Sequence, residues 1–407
     1  MFKPIRPSEV SAHGTLDYLL VAFVAMVGLA YLNFLPAVVD ALVYGMELTE
    51  AQAGQVVALN GYGALLGLMA AALLSERLPW RTLLFGALAM LCGLDFSTVW
   101  LNDYSLMLVW RCVGGALGGM SVGIAFTVLA KLRKGDRAFG LLLLMQFGIG
   151  SLVIYALPTL RVWGGELAVF YVMSALCALG LICTLLLPSF KGCVPFANGS
   201  ERQKGQPPQK RIRANTLLLL LAMSAYLIAA SAIWTYVGQI GHTAGFDEVT
   251  VNISIAVTGL LGLAGAMLPV IGVHRFGRSC WLAAGVVLSF CSAVLLCFSA
   301  HLFAYVIAMS LLFFSWPAVH SYFLALITQD DTHTTLASIA ALLSYGALAT
   351  GPMLGSLLLR DERFLIMLCG CALLFALSFL LLLKPVHRYQ VSDYKRITPS
   401  SRKHAAR

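Results

Sequence analysis

Four ionisable side chains stand where ionisable side chains are rare. Asp40, Asp95, Arg111 and His320 all fall inside long apolar runs. If those runs lie in a bilayer, a charge at the helix centre costs at least about 2.5 kcal/mol, so each group needs a reason. Arg111 admits two. It can form a static ion pair with Asp95, which lies at nearly the same depth in the preceding run, or it can grip an anionic ligand and alter the proton affinity of a nearby carboxylate. Asp40 shares a helix face with Asn33, and Pro36 between them can kink the helix and free backbone carbonyls, which makes either a polar pathway or a plain kinked helix end. His320 follows Trp316 by one helical turn, beside Pro317, and an imidazole can carry a proton at physiological pH or sit hydrogen-bonded in a core. Elsewhere Ser231, Trp234, Thr235 and Gln239 share one broad face, an aromatic wall with hydrogen-bonding groups suited to a small ligand, and Gln146 is a further buried amide. The expected substrate contacts are therefore Arg111, Asn33, Trp234, Gln239 and Trp316. The expected proton carriers are Asp40, His320 and Asp95.

Other chemistries leave no trace. There is no CxxC pair, HExxH helix or Cys/His cluster, so neither a metal nor a cofactor is expected. No catalytic dyad argues for an enzyme. No GxxxxGK[ST] loop is present, so ATP is not the expected energy source and a proton gradient is the default.

The elements that hold these residues are legible from composition. The chain has 407 residues, 60% hydrophobic and 11% charged, with a mean hydropathy of +0.86. A soluble domain is about 25% charged, so a soluble enzyme is excluded. Apolar stretches of membrane-spanning length recur twelve times, at about 17–43, 50–74, 82–101, 104–130, 138–160, 168–188, 215–238, 250–273, 279–299, 302–327, 335–359 and 364–384. The first is too long for a signal-peptide core and is expected to stay in the mature protein. Most of the ten cysteines lie inside these spans and read as reduced packing residues.

Orientation follows from the bases. With both termini on one side, 23 of the 27 Lys and Arg face that side, three face the other (Arg161, Arg360 and Arg363), and Arg111 is left inside a span. Both termini are therefore expected in the cytoplasm, and the net charge of +9 sets topology rather than marking a nucleic-acid partner. The stretch 191–214, rich in Pro, Gly, Gln and base, reads as a cytoplasmic linker. It divides the chain into a first bundle (1–190) and a second (215–385), followed by a basic cytoplasmic tail (386–407). Shifting the first six spans by 198 residues lands close to the second six, the internal repeat that places a substrate site at the membrane midplane. The expected fold is an all-α membrane protein of twelve transmembrane helices in two pseudo-symmetric six-helix bundles.

Three local patterns make the chain resemble the major facilitator superfamily over nearly its whole length. After the second span, Ser75-Glu76-Arg77-Leu78-Pro79-Trp80-Arg81 is similar to the family's acid-then-Arg gate loop. Its counterpart in the second half is His274-Arg275-Phe276-Gly277-Arg278, with His in place of the acid. Arg111-Cys112-Val113-Gly114-Gly115 resembles the family's Arg-x-x-Gln-Gly motif, with Gly for Gln. Leu48 to Gly54 looks like the usual start of the second helix. The Gly-Pro motif that antiporters of the family often carry in the fifth span is absent there, and a similar run, Gly351-Pro352, lies in the eleventh. The resemblance implies gating roles for Glu76, Arg77, Arg81, His274, Arg275 and Arg278. It also implies a cavity lined by spans 1, 4, 7 and 10, which favours Asp40 as a cavity residue and Asp95 as a structural partner.

The expected protein is a secondary active transporter, monomeric in a bacterial inner membrane. It moves a small organic solute by alternating access, coupled to protons. Arg111, the only base inside a span, suggests an anionic solute. One rival is an exporter of amphipathic compounds such as drugs or siderophores, suggested by the many aromatic and Met residues. Another is a membrane sensor on a transporter scaffold, for which tails of about 16 and 23 residues leave no sensor domain.

Overall fold

The computed structural model describes residues 15–75, 77–132, 135–187, 214–271, 278–329, 335–359 and 364–397. All of them fold into helices and short connections. Eleven helices are long and apolar enough to cross a membrane: Glu50–Leu74, Trp80–Trp100, Tyr104–Ala130, Arg137–Gly164, Ala168–Leu186, Ala214–Thr243, Glu248–Pro269, Arg278–Leu296, Leu302–Thr328, Leu336–Leu358 and Leu365–Pro385. The first crossing is built in pieces, Thr15–Gly28, Ala30–Asn33, Leu35–Asp40 and a π turn at Ala41–Gly45, and it completes two pseudo-symmetric bundles of six. These twelve crossings are numbered as spans 1 to 12.

Local sequence sets the helix starts. Span 2 opens on a capping box, in which Thr49 Oγ1 accepts from the Gln52 backbone N–H at 3.2 Å while Gln52 Oε1 accepts from that of Thr49 at 3.0 Å. Asp103 caps span 4. Asp247 caps span 8, and the two donors of Thr250, its backbone N–H at 3.1 Å and its hydroxyl at 2.6 Å, hold the Asp247 carboxyl below the usual range.

Several helices outrun the expected boundaries. The helix of span 5 covers Gly135–Gly164 rather than 138–160, and span 7 covers Ala214–Thr243 rather than 215–238. Span 8 breaks between Gly259 and Leu261, and the helix of span 12 continues through Pro385 to Ile397, across the expected start of the tail. Apolar length marks where a helix leaves the bilayer, whereas backbone hydrogen bonding continues until a stop signal. Polar residues alone are not one.

Most bases among the described residues, including Arg77, Arg81, Arg137 and Arg278, lie at one end of the bundle, here the basic end. The halves touch through spans 2 and 11, 5 and 8, and 1 and 7. One apolar core lies wholly within the first half, from Tyr18 to Leu187. The other crosses between halves, joining Phe34, Val38 and Leu42 of span 1 to Tyr236 and Val237 of span 7 near the end opposite the basic one. Within the first half, carbonyls of Asn60 and Ala64 on span 2 lie where a Cβ on Gly115 or Gly119 would have to go, so the Gly115-Gly119 ridge of span 4 serves close helix packing.

Candidate functional site

Span 1 meets span 7 of the other half at its proline break. Pro36 has no N–H, so the carbonyl of Leu32, four residues before it, loses its helical partner. The indole Nε1 of Trp234, on span 7, donates to that carbonyl at 2.9 Å. The helix breaks at Phe34, and Asn33 is left with its Nδ2 buried and unpartnered.

From this junction a cavity of about 1220 Å³ runs to the basic end. Its lining reaches Leu73, Ala130, Phe139 and Leu324, all near the basic ends of spans 2, 4, 5 and 10. Of the expected substrate contacts, Asn33, Trp234 and Trp316 line it. So do Gln146 and His320, whose Nε2 is 3.1 Å from Ser344 Oγ. Phe313 meets Trp234 edge-on at 5.1 Å. None of the described lining residues is Asp, Glu, Lys or Arg.

Arg111 lies outside that cavity. It is fully buried, its Nη1 is 2.9 Å from Asp95 Oδ1, and its Nη2 donates to Thr98 Oγ1. The guanidinium carbon is 5.1 Å from the centre of the Phe170 ring and 5.7 Å from that of Tyr31. Asn60 Nδ2 donates to the Arg111 carbonyl at 3.0 Å, tying span 2 to span 4. Between these groups is a small cavity of about 80 Å³, bordered by Tyr31, Asn60, Asp95 and Arg111 and by Tyr345 and Pro352 of span 11; it adjoins the larger one, with which it shares Leu29, Leu32, Tyr345 and Leu348.

At the end opposite the basic one, Asp40 anchors a cluster that joins the halves. Gln239 Nε2 donates to Asp40 Oδ1 at 2.8 Å. Arg161 Nη2 and His242 Nε2 each lie 3.6 Å from Asp40 Oδ2. Arg161 Nη1 is 2.8 Å from Glu248 Oε1 and 3.3 Å from Glu166 Oε2, and the Tyr44 hydroxyl donates to Gln239 Oε1 at 3.4 Å. Spans 1 and 5 and the 5–6 turn supply Asp40, Tyr44, Arg161 and Glu166. Spans 7 and 8 supply Gln239, His242 and Glu248. The helix ends favour this arrangement, because Arg161 and His242 occupy last turns, where cations are stabilised, and Glu248 a first turn, where anions are. A Cβ on Gly238 would stand 3.0 Å from Asp40 Oδ1, so the glycine lets the carboxylate approach span 7.

The structure thus separates residues that the sequence grouped. Asp40 and Gln239 belong to the cluster rather than to the cavity, and Asp95 pairs with Arg111. Ser231 and Thr235 are buried, the Thr235 hydroxyl bonding back to the Ser231 carbonyl at 2.7 Å. Arg161, counted as an outside loop base, is 9% exposed and inside a helix, so Arg111 is not the only buried base. The signal for Arg161 and His242 was helix length: they lie one and four residues beyond the expected apolar runs but still on the helix. Of the gate-loop residues, Arg81 donates to the Thr184 carbonyl at 3.2 Å and to that of Leu185, closing the end of span 6. Arg77 is exposed at the basic end and Arg278 opens span 9. Glu76, His274 and Arg275 lie outside the described residues.

Twelve spans in two halves around a cavity that reaches one membrane face make a solute transporter. The Major Facilitator Superfamily matches residues 18–329, and the chain belongs to that family. Its fold is similar to solved structures of nucleoside transporter NupG. A mutant form gives a TM-score of 0.72 at 12% identity, over 92% of this chain and 99% of that one. The D-xylose-proton symporter gives 0.68 at 16%, over 90% of this chain and 97% of that one. No curated protein matches the sequence significantly.

Proposed function

We propose that the chain is a proton-coupled symporter of a small organic solute in a bacterial inner membrane, with its basic end in the cytoplasm. The bundles 1–190 and 215–385 rock about the Trp234–Leu32 junction. The observation that carries this reading is the pairing of a cavity reaching the basic end with a charged cluster closing the other, the geometry of an inward-facing carrier. Asn33, Trp234, Trp316 and His320 meet the solute. Asp40 holds the coupling proton.

The coupling follows from charge. Asp40 faces Arg161 and His242, with Glu166 and Glu248 around Arg161 and the hydroxyls of Tyr44 and Tyr305 nearby. Three carboxylates thus share one guanidinium and one imidazole. A proton on Asp40 cancels its charge and weakens its hold on Arg161 and His242, so the outer end opens more easily. Spans 1 and 7 carry both the junction at the cavity and the Asp40–Gln239 contact, so solute and proton act on the same two helices.

The test is solute-driven proton movement in proteoliposomes, screened over a solute library with and without an imposed gradient. A solute that is concentrated by the gradient, and that carries protons, supports the reading; uptake indifferent to the gradient overturns the coupling. The orientation is tested separately. A reporter active only in the periplasm, fused after Arg407, should stay silent.

A further inference from the structure

We infer that the cavity selects a neutral, planar aromatic solute bearing a hydrogen-bond acceptor. The inference rests on the transport reading only in taking this cavity as the solute's site. Three observations carry it.

The first is charge. A charged ligand taken from water into a confined site needs a counter-charge, and no described lining residue has a fixed one. The base that pointed to an anion, Arg111, is fully buried and spends its guanidinium on Asp95 and Thr98. Arg161 is likewise engaged, at the far side of the Trp234–Leu32 junction.

The second is shape. Trp234, Phe313 and Trp316 of the second half and Phe126, Phe139 and Phe147 of the first put ring surface on both sides of the cavity. Aromatic walls favour a flat ring over an aliphatic group of equal size. The third is an unspent donor. The indole N–H of Trp234 is committed to the Leu32 carbonyl and His320 to Ser344, whereas the Asn33 Nδ2 is buried at the inner end of the cavity without a partner. A buried donor left unmade is costly, so the natural occupant supplies an acceptor there.

One ring in three charge states tests this directly: indole-3-acetamide (neutral), indole-3-acetate (anionic) and tryptamine (cationic), with cyclohexanecarboxamide as the ring-free control. Binding to the full chain in lipid nanodiscs is read from thermal unfolding. The acetamide should bind about ten-fold more tightly than each of the other three. Asn33→Leu should lower acetamide binding about ten-fold, and Trp316→Leu should lower binding of all three indoles. Asn33→Asp, which adds a carboxylate at the same place, should raise tryptamine above the acetamide, an outcome a misfolded variant cannot give. Acetate or tryptamine equalling the acetamide on the wild-type chain, no acetamide binding, or Asn33→Leu without effect overturns the inference. Binding is read without flux, so the two ideas fail separately. Acetamide that binds but moves no protons counts against symport alone, and a gradient-driven anion counts against the inference alone.

Discussion

Among the described residues two arginines are buried, and their surroundings differ in a way that separates structure from mechanism. Arg111 sits within the first half, matched by one carboxylate, with the hydroxyl of Thr98 and the rings of Tyr31 and Phe170 around it. These partners all belong to the first half. Arg161 sits at the seam, and its carboxylates come from both halves: Asp40 and Glu166 from its own, Glu248 from the other. Its contacts are also uneven, 2.8 Å to Glu248, 3.3 Å to Glu166 and 3.6 Å to Asp40 Oδ2, against 2.9 Å for the single Arg111–Asp95 pair. A matched pair inside one bundle pins helices, whereas a guanidinium shared among three carboxylates across the seam can release when one of them loses its charge.

The largest effect expected from this contrast is on stability. Asp95→Ala leaves Arg111 buried and unpaired and should cost about 3–5 kcal/mol, while replacing both partners with apolar residues, as in Arg111→Met with Asp95→Leu, should recover most of it. Thermal denaturation of the two single variants and the double variant measures the coupling. If Arg111→Ala keeps full stability yet abolishes uptake at equal protein level, Arg111 acts on the solute and the contrast collapses.

Next in size is the effect of Asp40→Asn on work rather than on folding. Uphill accumulation should fall to the equilibrium level while exchange of solute for solute persists, because exchange needs only the conformational cycle. Accumulation at wild-type level would take the proton away from Asp40. His320→Gln then tests the rival carrier. With His320 lining the cavity while bonded to Ser344, and Asp40 holding the proton, this variant should still concentrate solute and should weaken apparent affinity by less than about ten-fold, through the altered cavity wall. Loss of accumulation together with a flattened response between about pH 5 and 8 would return the coupling role to the imidazole.

The smallest expected effect sharpens the comparison most. Gly238→Ala places a methyl 3.0 Å from Asp40 Oδ1 and asks the carboxylate to give by a few tenths of an ångström. Fold stability should stay within about 1 kcal/mol, the scale of most tolerated substitutions, while the outer end should open more readily. Cysteine labelling at the seam, in an otherwise cysteine-free background, would register the shift. No change in labelling would mean that the Asp40–span 7 contact does not hold the seam.

Much of this was legible in the chain itself. Twelve apolar lengths and the capping signal at Thr49 are local properties, each decided by a residue and its near neighbours, and the one-sided bases and the 198-residue repeat follow from comparing those segments along the chain. Pro36 announced a freed carbonyl for the same reason, since proline's missing N–H acts at a fixed distance along the helix. The Arg111–Asp95 pair was within reach too, because adjacent antiparallel spans put equal depths together.

Tertiary structure alone decided which distant groups meet. Nothing local says that the Leu32 carbonyl receives Trp234, that Asp40 faces His242, or that Arg161 is a seam residue and not a loop charge. Those contacts depend on how two whole bundles tilt and rotate against each other. That packing is a collective result of many small apolar contacts, and hydropathy, which counts residues one at a time, carries no record of it. The site's character turned on that step, because the packing directed one arginine to a carboxylate and the other to the seam, and left the cavity lined by rings, aliphatic side chains and a few uncharged polar groups.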